Sequence, residues 1–170
     1  MRKTLGDYAV HQGPRNFSRF VIPQEARRVE IKPVFLNLVS SHLFFGEEHE
    51  DPYAHLDTFY ELCATMGFEE DQKEAAYMKL FPFSLIGEAK EWVKAQPTQS
   101  FISWNDFERK FLTKFFPPSK YVSMKTDIAT FKQGHDEAFY EAWERFQSLL
   151  RKCPNHGIED VDQLNIFVMV

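Results

Sequence analysis

In one segment after another of this chain, apolar side chains return at every third or fourth position until proline or glycine stops them. A sequence patterned this way specifies short amphipathic helices joined by short turns. The clearest case is Phe139, Ala142, Trp143, Phe146, Leu149 and Leu150, which share one helical face and stop at Cys153-Pro154. Nearly as clear is the aromatic stripe Trp104, Phe107, Phe111 and Phe115, led by Ser103 as a capping residue and ended by Pro117-Pro118. No window shows the two-residue alternation of a half-buried strand between turn signals, so the expected architecture is all-α.

The remaining helices follow from local start and stop signals. Asp51-Pro52 is a cap with a first-turn proline, opening a helix through Leu56, Phe59, Tyr60, Cys63 and Met66 that Gly67 stops. Asp71 and Glu74 have capping-box spacing and predict a second helix reaching Leu80 before Phe81-Pro82. Ser84 is expected to cap a third, carrying Leu85, Ala89, Trp92 and Val93 and ending at Pro97. Tyr121, Met124, Ile128 and Phe131 predict a helix ending near Gly134, and Val161, Leu164, Phe167 and Val168 another from about Asp160 to the last residues. Upstream, Val34, Phe35, Leu38 and Val39 suit a short helix or a docking strand.

With 44% hydrophobic residues, 170 residues can bury one core or two small ones. The overall charge of -5 conceals an asymmetry. Residues 1–30 carry six basic side chains (Arg2, Lys3, Arg15, Arg19, Arg27, Arg28) against three acidic ones (Asp7, Glu25, Glu30), net +3, whereas 14 basic and 22 acidic residues downstream give -8. An acidic globular part repels phosphate, so attraction to RNA falls to the front segment, where Gly6, Gly13, Pro14 and Pro23 indicate a flexible, basic lead-in over 1–30.

Several function classes are disfavoured. There is no long apolar run for a membrane span and no secretory h-region. Cys63 and Cys153 stand far apart and read as packing residues in a reducing compartment, the cytoplasm or nucleus. Cys153-Pro154-Asn155-His156 supplies half of a zinc-like spacing without a second pair, and the run from Glu47 to Asp51 reads as a solvated loop, so no metal or cofactor is expected. None of the hydrolase, metalloprotease, phosphate-loop or dinucleotide signatures is present, which points away from an enzyme.

Gln133-Gly134-His135-Asp136-Glu137-Ala138-Phe139, continuing to Trp143-Glu144-Arg145-Phe146, resembles the major homology region of retroviral and retrotransposon capsid proteins. Further resemblances follow in register: Asp51-Pro52 with His55-Leu56 and Phe59, then Leu80-Phe81-Pro82-Phe83-Ser84-Leu85, Ala89-Lys90 with Trp92, and Ser103-Trp104 with Phe107, Phe111 and Phe115 through Pro118. Together they are similar to the Gag protein of plant gypsy-type long-terminal-repeat retrotransposons. The family's zinc knuckle, aspartic protease motif and polymerase motifs do not occur.

The resemblance implies two small helical capsid-like domains, residues 31–118 and 119–170, the second incomplete, that self-associate into virus-like particles. It implies a homo-oligomer, with element RNA bound weakly through the N-terminal segment or a downstream nucleocapsid, and no membrane partner. Gln133, Gly134, Glu137 and Arg145 are then expected to form a polar network fixing the turn into the helix of Phe139, Trp143 and Phe146. A plain Glu141–Arg145 surface pair is the alternative. Trp92, Trp104, Phe107, Phe111 and Phe115 are expected to be core. A host-adopted module that binds a peptide or RNA, or a decayed gene copy, are the competing functional readings.

Overall fold

The computed structural model describes residues 19–22, 29–153 and 156–168. Most of the proposed lead-in, with Arg2, Lys3, Arg15, Arg27 and Arg28, lies outside the described residues, as do Pro154 and Asn155. Within them the chain is helical: α1 (Pro33–Ser40), α2 (Pro52–Ala64), α3 (Glu70–Leu80), α4 (Gly87–Ala95), α5 (Trp104–Phe115), α6 (Pro118–Ala129), α7 (Phe139–Lys152) and α8 (Asp160–Val168). The described residues hold no strand, only the single-residue parallel bridges Phe20–Phe101 and Phe44–Leu85. The all-α expectation holds, and the segment left open between helix and strand resolves as α1 followed by the bridge at Phe44.

Local chemistry explains most of the boundaries. The Asp51 carboxylate accepts hydrogen bonds from Tyr53 N–H (2.9 Å) and Ala54 N–H (3.2 Å), and Ser103 Oγ accepts from Asp106 N–H (3.1 Å). Each thereby satisfies donors that the first helical turn leaves without partners. Two expected caps are replaced. α3 begins before Asp71: Glu69 sits at its N-cap and the Gln72 side chain accepts from Glu69 N–H at 3.2 Å. Glu74 is thus freed to accept from Trp104 N–H at the head of α5 (3.1 Å).

Ser84 does not cap α4. Its buried hydroxyl donates back to Phe81 O (2.7 Å) within a 3-10 turn over Phe81–Ser84, which absorbs the Phe81-Pro82 break, and α4 starts only at Gly87. Between them Leu85 is held against Phe44 by Phe44 N–H to Ser84 O (2.8 Å) and Ile86 N–H to Phe44 O (3.0 Å). Gly87 takes φ +54, and a Cβ there would lie 3.3 Å from Phe45 O. A side chain at this position meets both left-handed strain and a backbone oxygen that cannot give way. Gly87→Ala is expected to cost about 1–2 kcal/mol, measured by urea unfolding; an unchanged midpoint would contradict the geometry.

The chain divides into two compact units, residues 1–47 with 58–108, and residues 48–57 with 109–170. In the first, the core is an aromatic cluster. Phe107 lies within ring-contact distance of Phe101 (4.8 Å), Phe20 (5.1 Å), Phe81 (5.3 Å), Trp104 (5.6 Å) and Trp92 (6.1 Å), while Phe59 meets Phe81 edge-on at 4.8 Å. At its margin Tyr60 OH donates to Glu108 Oε1 (2.8 Å) and accepts from Trp104 Nε1 (2.7 Å). Burial and the neighbouring Glu108 carboxylate push the Tyr60 phenol well above its ordinary range, so it stays a neutral donor. Cys63 is buried, and burial pushes its thiol up to about 12.

In the second unit Ile128, Phe131, Ala142, Phe146, Leu150, Cys153 and Phe167 form the core, flanked by Tyr121, Met124 and Trp143. Phe111 and Phe115 are buried, with rings 5.1 Å apart. Both cysteines are free and buried, in keeping with a packing role. No described helix is long and apolar enough to cross a membrane, and no described group of three or more His, Cys, Asp or Glu could hold a metal.

Candidate functional site

The residues preceding α7 build a compact polar knot around one guanidinium. Arg145 Nε donates to Glu137 Oε1 (2.8 Å) and Arg145 Nη2 to Glu137 Oε2 (2.7 Å), a bidentate pair, and Nη2 also reaches Lys132 O at 2.8 Å. The guanidinium lies 4.2 Å from the centroid of the Phe131 ring, a cation–π contact on the apolar side. Glu137 in turn accepts from Gly134 N–H (2.8 Å), and Gln133 Nε2 donates to Glu137 O (2.6 Å). Three polar side chains, the Gly134 N–H and two backbone carbonyls therefore define the 132–138 turn and pin it to the second turn of α7.

The alternative Glu141–Arg145 pair is not made. Glu141 turns back to accept from Ala138 N–H at 3.1 Å, satisfying an orphan donor at the helix start. Gly134 does not owe its place to a positive φ: it is close to its neighbour, since a Cβ there would lie 3.2 Å from the Glu137 Cβ. Phe139 also departs from the sequence pattern. It heads the apolar face of α7 by spacing, yet is 67% exposed, touching the core only where its ring meets Phe167 edge-on at 5.1 Å. Trp143 is half-buried against Phe167 (4.9 Å) and Phe146 is fully buried.

The remaining residues of interest are Trp92, Trp104, Phe107, Phe111 and Phe115. Trp104, Phe107, Phe111 and Phe115 are buried and Trp92 is half-buried against Phe101 (5.8 Å), so they pack. His156, the last member of the zinc-like quartet, accepts from Ile158 N–H through Nδ1 (3.1 Å), a turn interaction. Sequence reasoning missed Phe131 and Lys132 as partners of Arg145. Only the spacing of Phe131 on the preceding helical pattern hinted at one of them.

The pair fixes how this knot responds to acid. The Arg145 guanidinium and the Gly134 N–H hold the Glu137 carboxyl down at about 2, against about 4.3 when the chain is unfolded. Because the folded value is the lower one, the stability it contributes is complete above the unfolded value and disappears as pH falls through the folded one. A carboxyl titration followed by NMR should place the Glu137 midpoint near 2, and Glu137→Gln should flatten the loss of stability between about pH 5 and 2. A midpoint near 4.3 would show that the pair does not persist in solution.

Residues 41–116 match the family model of the N-terminal capsid-like domain of the retrotransposon-derived protein PEG10. This supports a Gag-like, retrotransposon-derived capsid segment. The capsid-like match starts after α1 and runs to Phe116, so it takes in the aromatic cluster apart from Phe20 and ends before the Arg145 knot. A capsid-like domain is a structural module, not a catalytic one. No curated protein and no solved structure matches the chain.

Proposed function

We propose that this protein is the capsid-forming part of a Gag polyprotein of a plant gypsy-type retrotransposon, and that it assembles into virus-like particles. The observation that carries the reading is the Arg145–Glu137–Gly134–Gln133 knot at the head of α7, placed downstream of a capsid-like segment. Its residues resemble the major homology region in kind and order, and their geometry is structural: a buried-side cation–π contact and backbone bonds leave no open catalytic group. A network of this sort holds a turn rigid, and a shell needs rigid subunits because its angles repeat across many copies.

Assembly itself would use many weak contacts. Val161, Leu164 and Val168 lie exposed along α8, and Phe139 and Tyr140 are 67% and 69% exposed at the start of α7, apolar side chains available for such contacts. The net charge of -5 opposes association, and salt screens that repulsion within about 10 Å at 0.1 M. Particles should therefore form from the purified chain at high protein and high salt, seen by light scattering and electron microscopy. Monomer under every such condition would defeat the proposal.

A host-adopted role is the second reading, favoured by the match to a protein described as retrotransposon-derived. Adjacent protease and polymerase reading frames in the genome would favour the mobile element, and an isolated gene the adopted module.

A further inference from the structure

Arg19–Ile22 is an extended piece of chain seated in a socket built by residues some 75 positions away. Phe101 N–H donates to Arg19 O (2.9 Å) and Val21 N–H to Phe101 O (2.8 Å), one rung on each side of Phe20. The Phe20 ring sits 5.0 Å from Phe101 and 5.1 Å from Phe107, reaching the aromatic cluster of the first unit. Arg19 crosses the end of α4, donating through Nη2 to Lys94 O (2.8 Å) and through Nε to Gln96 O (3.3 Å). Lys94 O belongs to the last turn of α4, where the dipole favours a cation and the backbone lacks internal partners, and Gln96 is the extended C-cap residue just beyond it. Main-chain pairing, one aromatic anchor and one cap-completing cation are the elements by which an added strand recognises an edge.

We propose that in an assembly of this protein the Arg19–Ile22 segment of one copy seats in the Lys94–Phe107 socket of a neighbouring copy, strapping the copies together. The inference rests on the assembling-capsid reading above. The contacts between segment and socket are the same whichever copy supplies the segment, so seating within a chain and between chains differ mainly in local concentration. A segment on the same chain meets its socket at roughly millimolar effective concentration, and dilute copies cannot compete with that. Copies packed in a shell reach the same range, and exchange then adds a link without any new interface. The occupant is thus set by what fills the socket in a single chain: a basic residue, an aromatic anchor and a β-branched residue in extended form.

The test mixes equal amounts of 14N- and 15N-labelled full chain, each carrying a photoreactive benzophenone side chain at position 20, and analyses crosslinks by mass spectrometry. A second pair of samples carries the probe at position 21, whose Val21 side chain is 36% exposed, in case the larger ring spoils the Phe20 seat. Crosslinks from the probe to peptides spanning Phe101–Phe107 should be of one isotope in dilute samples. At assembling concentrations mixed-isotope pairs should rise towards half of the total, the value for complete exchange. Only like-isotope pairs at the highest concentration with both probes would overturn the proposal, whether or not particles form. Mixed pairs without particles in light scattering would instead uphold the exchange and overturn the capsid reading.

Discussion

Phe107→Ala should destabilise the protein by about 3–5 kcal/mol, the range for deleting a fully buried aromatic side chain. Phe107 is 0% exposed and is ringed by Phe20, Phe81, Trp92, Phe101 and Trp104, so its removal opens a cavity among groups already packed edge to face. These neighbours belong to α4, α5, the 3-10 turn and the segments at Phe20 and Phe101, whose backbones cannot all move inward together. Total stabilities of about 5–15 kcal/mol leave little after such a loss. The melting temperature should fall by about 10 °C or more. Phe107→Leu, which refills most of the volume, should cost clearly less, and a Phe107→Ala chain losing under about 1 kcal/mol would mean the cluster is not packed as described.

Phe146→Ala should have a comparable effect, about 3–5 kcal/mol, with a second consequence at a distance from the cavity. Phe146 is fully buried between Phe131 (5.0 Å), Phe167 (5.6 Å) and Trp143 (6.2 Å). Phe131 is the ring on which the Arg145 guanidinium rests, so freeing Phe131 removes the platform from the polar knot. Hydrogen exchange at the Gly134 amide, which donates to Glu137, should accelerate in Phe146→Ala beyond the increase expected from lost global stability. Exchange at Gly134 that merely tracks global unfolding would show that the knot is held by its ion pair alone. The contrast with Glu137→Gln separates the two supports: that change removes the charge and leaves the ring in place.

The helical periodicity was readable because each apolar stripe has to face a core, and the core needs large side chains at those positions whatever lies opposite. Hence α7, the stripe of α5 and the caps at Asp51 and Ser103 match their expected places. Caps at Asp71 and Ser84 failed because capping spacing is common and the competing partner was remote or turned back: Gln72 serves Glu69, Glu74 serves Trp104, and Ser84 serves Phe81. Gly87 carried no local signal, since the backbone oxygen that a side chain there would meet belongs to Phe45, about forty residues upstream.

The same division runs through the candidate site. Gln133, Gly134, Glu137 and Arg145 could be named from their order, and glycine at 134 could be seen to matter. Why it matters could not: the reason is the Glu137 side chain folded over it, not its own dihedral angle.

Sequence alone settled the helical class, the main apolar faces and the residue types of the polar knot, because periodicity and turn chemistry act over three or four positions and are written in neighbouring letters. Tertiary structure decided which acceptor each donor found, why Phe139 stays in solvent while Phe146 does not, and where Arg19 and Phe20 dock. Those outcomes depend on distances between segments tens of residues apart, and such distances exist only once the chain has packed.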